Sequence, residues 1–381
     1  MSDTVRHAAA QVPGKAGSQV ASQPHYLQFG SLRAWLRLLW RHGASPHYWP
    51  RAAAITALST ATAPLRCYER VRFHRAIAVT PPPQAPVFII GLPRSGTTHL
   101  HYLLARDPAV AYMTWAMALL PDLSLFADGW FARLYSRWLP PTRAHDQVAV
   151  NINAPATEEI ALMIRGVDTF LHYQCFPDAF EYYLERANLR GASEAQRKRW
   201  RAQYTQILKK VSLAGEGRRL LLKNAANTAR VGELLTLFPD ARFIHIVRNP
   251  YDVFASTRRL FTVETATCRL GGAPRDTESD VLTYCTTNMQ AYLDQRNLIP
   301  PGQLIEIRYE DLIRDPLATV HAIYQKLELP GLDAALPRMH EYLASVSGYR
   351  RNHLPLTSDE EFVITDRLAL AFDTWHYPRR K

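Results

Sequence analysis

The sequence predicts an α/β fold, a mainly parallel sheet covered by helices, and three observations predict it. Four short apolar runs punctuate the chain: PVFIIG (86–91), RRLLLK (218–223), ARFIHIV (241–247) and QLIEIRY (303–309). Each is continuous rather than alternating, which is the pattern of a strand buried on both faces. The stretches between them are long enough for helical crossovers, as parallel neighbours require. The first run, moreover, passes through a glycine-containing turn straight into a helical stretch, HLHYLLA.

From the N-terminus, residues 1–28 are small and polar and lack the apolar centre of a signal peptide, so they read as a flexible tail. FGSLRAWLRLLWRHG (29–43) follows. Leu32, Trp35, Leu36, Leu39 and Trp40 fall at i, i+3, i+4, i+7 and i+8, and therefore on one helix face. Arg33, Arg37 and Arg41 line another face; Ser31 is placed to cap the start and Gly43 to stop the end. Two readings fit: a helix lying on an anionic membrane surface, or one docked on its own domain with solvated arginines. The aromatic-rich stretch 119–139 is open to the same pair, as lipid contact or as core and pocket wall.

Pro81-Pro82-Pro83 and Pro86 form a stiff boundary just ahead of the first strand. It divides a basic, helical extension (1–80) from the main domain (81–381). Within the latter, ASEAQRKRWRAQYTQILKKVSL (192–213) reads as a capped surface helix.

With 381 residues, 47% hydrophobic and 21% charged, the chain can bury a sizeable core. No run of about 18 apolar residues suggests a spanning helix. Cys67, Cys175, Cys268 and Cys285 form no CxxC pair, which points to reduced thiols in a cytoplasmic-type compartment. Ten Lys and Arg stand against two acids, Asp3 and Glu69, in residues 1–90, so eight of the eleven net positive charges lie there. Such a surface suits a nucleic acid, an anionic membrane or an anionic substrate. No zinc-finger, RNA-binding or helix-turn-helix signature supports the first. The expected location is cytoplasmic, with peripheral contact at the inner membrane face through residues 31–42 under the membrane reading.

The loop GLPRSGTT (91–98) carries the chemistry. Gly91 and Gly96 allow a backbone path and a close approach that side chains would block. The amides of Ser95, Gly96, Thr97 and Thr98 open a helix N-terminus, where unpaired N–H groups and the helix dipole attract an anion. Three hydroxyls and Arg94 add further donors. A nucleotide-hydrolysing P-loop would have lysine where Thr97 stands, and an aspartate ending another strand to hold magnesium. Here the other strands end in Lys223, Arg248 and Tyr309. Anions held by the protein's own charges, with no metal, fit better than kinase or NTPase chemistry. In FIHIVRNPYDVFASTRR (243–259), Arg248 ends a strand and Ser256 lies two turns into the following helix, an arrangement open to two readings, a second phosphate site or a structural ion pair at Arg248.

GLPRSGTT resembles the 5′-phosphosulfate loop of sulfotransferases that use 3′-phosphoadenosine 5′-phosphosulfate (PAPS). VRNPYDVFAST resembles their 3′-phosphate motif, and IRYEDLIRDP (307–316) their third strand-to-helix signature. The arginine-bearing loop is nearer the bacterial and tyrosylprotein-type members. The resemblance spans about residues 86–316 and implies a P-loop NTPase-like three-layer fold. It implies that Arg94, Ser95, Gly96, Thr97 and Thr98 hold the phosphosulfate, that Arg248 and Ser256 hold the 3′-phosphate, and that Tyr309 lies against the adenine. It implies in-line transfer of a sulfuryl group to a hydroxyl or amine of a small-molecule, lipid or carbohydrate acceptor. Arg94 and then Lys223 are the cations expected at the leaving oxygen, each worth on the order of 100-fold in rate.

The general base is less determined. Relatives place Pro and His after the strand-end lysine, where Asn224, Ala225, Ala226 and Asn227 stand here, and an acid where Ala116 stands. Glu159, in NAPATEEIALMI, matches the relatives' glutamate, with Glu158 next; both could instead complement a helix dipole. His99 and His145 are outside candidates. Arg350 and Arg351 fall where relatives add basic groups to the donor pocket. The hydrophobic stretch 112–139 favours a lipid or another hydrophobic alcohol as acceptor.

Overall fold

The computed structural model describes residues 25–125, 151–348 and 354–380. Five strands form one sheet: β1 (Val87–Ile90), β2 (Val110–Ala111), β3 (Arg219–Lys223), β4 (Arg242–Val247) and β5 (Leu304–Arg308). Their order is β2-β3-β1-β4-β5 and every pairing is parallel. The helices that bear on the site are α1 (Leu32–His42), α2 (Trp49–Ala61), α3 (Ala63–Val79), α4 (Thr97–Leu104), α5 (Glu158–Ile164), α6 (Glu194–Ala214), α7 (Pro250–Cys268), α8 (Thr277–Arg296) and α9 (Tyr309–Arg314).

The four strands expected from sequence are all present; β2 is an addition, too short to register as an apolar run. Alternate residues feed two separate cores, which is why the runs are continuous. Phe88, Ile90, Leu220, Leu222 and Phe243 join the core beneath α6. Val87, Ile89, Leu221, Ile244 and Ile246 join the core on the other face. All strands being parallel, their carboxyl ends share one edge. The strand order reverses at β1, between β3 and β4, where ligands gather in open α/β sheets.

The N-terminal helices dock on this body. Trp35, Leu38 and Ile55 share a core with Met163, Phe176, Cys268 and Leu270. Arg51 donates to the carbonyls of Thr267 and Arg269 at 2.8 and 3.2 Å, tying α2 to the end of α7. Residues 25–28, assigned by sequence to the loose tail, belong to this contact: Leu27 is buried and His25 Nε2 lies 2.9 Å from the Cys268 carbonyl.

Ser31 caps α1 and Gly43 ends it at φ +68°, as its sequence indicates. The expected apolar face, however, divides. Trp35 and Leu38 turn inward, while Leu36 and Trp40 are 49% and 86% exposed. The reason is geometric, since five residues at that spacing span a wider arc than one docking contact covers. Nor are the arginines equivalent: Arg41 pairs with Asp168 at 3.4 Å and stacks over Tyr182. The helix at 192–213 is present as α6 with a full capping box at Ser193 and Gln196. It is less superficial than expected, because Trp200, Tyr204, Ile207, Leu208 and Val211 are buried. In the 119–139 stretch, Leu119, Leu120 and Leu123 are core, and residues 126–139 lie outside the described residues.

Trp35→Ala should cost about 3–5 kcal/mol of unfolding free energy, as large-to-small changes of buried aromatics do. A denaturant titration followed by far-UV circular dichroism checks this. An unchanged midpoint would mean that α1 is not part of the cooperative core.

Candidate active site

The loop after β1 is shaped by what it must pass. At Gly91 (φ +138°) a Cβ would lie 2.4 Å from the Ile246 carbonyl oxygen of β4. At Gly96 (φ +100°) it would lie 2.3 Å from Cδ2 of Tyr309. Both positions therefore require glycine on space as well as on conformation. Gly91 N donates to Thr228 Oγ1 at 2.8 Å, which fixes the loop's start to the turn after β3. Arg94 takes a left-handed conformation, φ +68°. Ser95 and Thr97 are buried, and Ser95 Oγ donates to the Leu92 carbonyl at 2.7 Å. Gly96 is the N-terminal boundary of α4, whose first-turn amides have no partner within the helix.

The second motif closes on the first. Arg94 Nε donates to Ser256 Oγ at 2.8 Å, joining the loop to α7 across 162 residues of sequence. Arg248, at the end of β4, donates from Nη1 to the Arg94 carbonyl at 3.1 Å and from Nη2 to Asp252 at 3.1 Å. Its guanidinium stacks over Tyr309 at 4.5 Å, and its buried Nε has no hydrogen-bond partner. Tyr309 is thus held between Gly96 and Arg248. The next residue, Glu310, accepts from Asn249 N at 3.1 Å and from the Tyr377 hydroxyl at 2.8 Å, which fixes the start of α7. Arg94, Gly96, Arg248, Ser256 and Tyr309 therefore form one contiguous cluster at the carboxyl edge of the sheet.

The carboxylates of α5 lie beside it, next to the end of β3. Thr157 caps α5, its Oγ1 accepting from Glu159 N at 3.4 Å. The Glu159 carboxylate is fully engaged: Arg230 Nη1 and Nη2 donate to its two oxygens at 2.8 Å each, and Asn224 Nδ2 adds a bond of 2.8 Å. Arg230 is itself buried, and its Nε donates to the Ala187 carbonyl. Removing one partner of such a buried pair leaves the other uncompensated.

Glu158 differs. Oε1 accepts from the Tyr204 hydroxyl at 3.3 Å, while Oε2 is buried with no partner. Burial pushes its carboxyl up to about 7, against the opposing pull of its own backbone amide and of Lys223. Of the two, Glu158 has the spare lone pairs and the affinity for a proton near neutral pH. The sequence motif favours Glu159, whose two oxygens are both engaged, whereas Glu158 keeps one oxygen without a partner. Lys223 stands opposite Ile89 in the sheet register, two residues from the loop's first glycine.

His99 leads away from this cluster, its Nδ1 lying 3.3 Å from the Tyr342 hydroxyl, and burial lowers its pKa. His145, Arg350 and Arg351 lie outside the described residues. Sequence reasoning missed Arg230, Tyr204 and Thr228. A lone arginine in NAANTARVGELL and a tyrosine within a helix carry no local signature, and only the fold brings them to α5.

Comparison with known proteins agrees with this geometry. The family model described as "Sulfotransferase family" matches residues 86–334. The omega-hydroxy-beta-dihydromenaquinone-9 sulfotransferase Stf3 of Mycobacterium bovis and of Mycobacterium tuberculosis is 31% identical over 354 residues, which is 91% of this chain and 89% of the relative. Among solved structures, sulfotransferase STF1 from Mycobacterium tuberculosis H37Rv has a TM-score of 0.62 at 19% identity, covering 94% of this chain and 98% of its own. Sulfotransferase STF9 from Mycobacterium avium has 0.62 at 18% identity, covering 87% and 86%. At these identities the structural likeness is one of fold.

A raised carboxyl pKa has a definite sign in stability. The folded protein holds the Glu158 proton up to about pH 7, whereas a free carboxyl loses it near 4.5. Between those limits the folded state binds more protons, so this group's contribution should fall as pH rises. Glu158→Gln should flatten that part of the stability curve, measured by urea titration from pH 4.5 to 8. An unaltered slope would show that Glu158 is ionised throughout.

Proposed function

The chain belongs to the sulfotransferase family, and from that premise we propose that it moves a sulfuryl group from PAPS to a hydroxyl of a lipid-like acceptor. The observation that carries the donor assignment is the union of two anion sites through the Arg94–Ser256 hydrogen bond and the Arg248–Tyr309 stack. A single phosphate needs one such site, and a nucleotide with phosphates at two positions needs both. The residues fit that donor: glycines where the backbone must approach closely, helix amides, and a buried Arg248 Nε with no partner of its own.

In this reading Arg94, Ser95, Gly96, Thr97 and Thr98 hold the 5′-phosphosulfate, and Arg248 and Ser256 hold the 3′-phosphate. Tyr309 backs the loop and offers an edge to the adenine. PAPS supplies the sulfuryl group and leaves as adenosine 3′,5′-bisphosphate. Glu158 Oε2 takes the acceptor's proton, Glu159 fixes Arg230 and Asn224 behind it, and Arg94 and Lys223 set a positive field where negative charge develops. The lipid-like acceptor is supported by the relative, named for a menaquinone derivative, and by the hydrophobic stretch from 112 onward. A contact of α1 with the membrane belongs to the same reading: Trp40 and Leu36 face outward beside Arg33 and Arg37. No described helix is long and apolar enough to cross a membrane.

Adenosine 3′,5′-bisphosphate should raise the melting temperature without magnesium. Arg248→Ala and Ser256→Ala should each weaken its binding by about 10- to 100-fold, the worth of a charged hydrogen bond. Insensitivity to the bisphosphate, together with a magnesium-dependent response to ATP, would turn the assignment toward a kinase or NTPase. Glu158→Gln should lower kcat for PAPS-dependent sulfation of a prenylated quinol by about 10²–10⁴-fold and leave bisphosphate affinity intact. If Glu159→Gln alone produced that pattern, the base would be Glu159.

A further inference from the structure

A cavity of about 830 Å³ lies between α3 and α6, on the side of α6 opposite Tyr204 and its bond to Glu158. Tyr204, Ile207 and Val211 turn one face of α6 into the core, and Lys198, Arg201 and Lys209 on the opposite face line the cavity. Its described walls carry seven Lys and Arg but only two carboxylates, Glu69 and Asp122. Both acids are already committed. Glu69 accepts from Lys210 Nζ at 2.6 Å, and Asp122 lies 3.5 Å from both Arg165 and Lys210.

Cationic capacity remains after that pairing. Arg66 donates to the Ser59 carbonyl and Arg201 to Glu233, so both are used internally. Arg70 and Lys198, on facing helices, have no hydrogen bond or ion pair among the described residues. Arg165 Nη1 is buried and has no partner. The rest of the described lining is mixed: Ile77, Ala78, Ala202, Leu237 and the methylene stems of the basic side chains are apolar, and His74, Gln203, Thr205 and Gln206 are polar. One step round α3, Val71 and Val79 are each 74% exposed. In α3 the only acid is the buried Glu69.

We propose that this groove binds the headgroup phosphate of an anionic phospholipid, with Arg70 and Lys198 as its principal cations and Val71 and Val79 against the adjoining bilayer. Cations around a partly apolar lining, beside exposed aliphatic side chains, match an amphiphile better than a free phosphate, which has nothing to offer Ile77, Leu237 or the exposed valines. A nucleic acid is matched less well, since His74 is the single ring among the described lining residues and cannot make a platform for successive bases. The binding chemistry stands on these residues; its use, seating the enzyme where a membrane-borne acceptor is reached, rests on the acceptor reading above.

The test is co-sedimentation of the full chain with phosphatidylglycerol–phosphatidylcholine vesicles and with pure phosphatidylcholine vesicles. Wild type should prefer the anionic vesicles. Arg70→Ala/Lys198→Ala should lose that preference by on the order of 20- to 30-fold, about fivefold per cation. Lys326→Ala/Arg338→Ala removes the same charge from exposed positions on the opposite face of the sheet and should bind as wild type. Equal loss in the two double variants, or no preference in wild type, overturns the proposal. So does displacement of the vesicles by soluble glycerol 3-phosphate or duplex DNA acting through Arg70 and Lys198. Stabilisation by adenosine 3′,5′-bisphosphate should be unchanged in the groove variant; its absence in wild type would sink the donor assignment and leave the vesicle result standing.

Discussion

Close approach of the loop 91–96 to β4 and to the first residue of α9 is the constraint that shapes the whole site. The backbone passes so near the Ile246 carbonyl and the Tyr309 ring that neither Gly91 nor Gly96 has room for a Cβ. That closeness puts the first-turn amides of α4 at the edge where β4 and β5 end. It also lets Arg94 reach Ser256 and lets Arg248 reach the Arg94 carbonyl. A wider loop would still be a helix N-terminus, but it would hold one anion and not two joined ones.

The same edge explains the division of labour between the carboxylates. Glu158 and Glu159 are consecutive on α5, so they leave the helix about 100° apart and meet different neighbours. One meets Arg230 and Asn224, which engage both its oxygens. The other meets Tyr204 through one oxygen and buries the second without a partner, and burial raises its pKa to about 7. Two identical side chains acquire different chemistry from burial and partners alone.

Charge is distributed on a second principle. Beyond residue 81 many cations pair with carboxylates, as Arg230, Arg258 and Arg275 do, or stand at the sheet edge, as Arg248 does. In α1 to α3 they outnumber acids, and the single acid, Glu69, is buried against Lys210. Surplus positive charge thus sits on helices that also expose Trp40, Trp49, Val71 and Val79. Coulombic attraction and apolar burial can therefore act on one partner surface.

The sequence by itself determined the strands, the cradle and the family motifs, because these are local: a continuous apolar run, two glycines, an arginine at a strand end. It also fixed the caps of α1 and α6, which depend on residues within one turn. It set the apolar face of α1 too wide, leaving Leu36 and Trp40 exposed while Leu32, Trp35 and Leu39 dock, since the docking partner comes from residues 163–270. It marked Glu159 and Glu158 by position, but the different company the two side chains keep comes from the tertiary structure. Arg230, Tyr204 and the basic groove between α3 and α6 were legible only in three dimensions. Each is an encounter between segments that are distant in the chain, and such an encounter fixes desolvation and charge pairing, which no local spacing records.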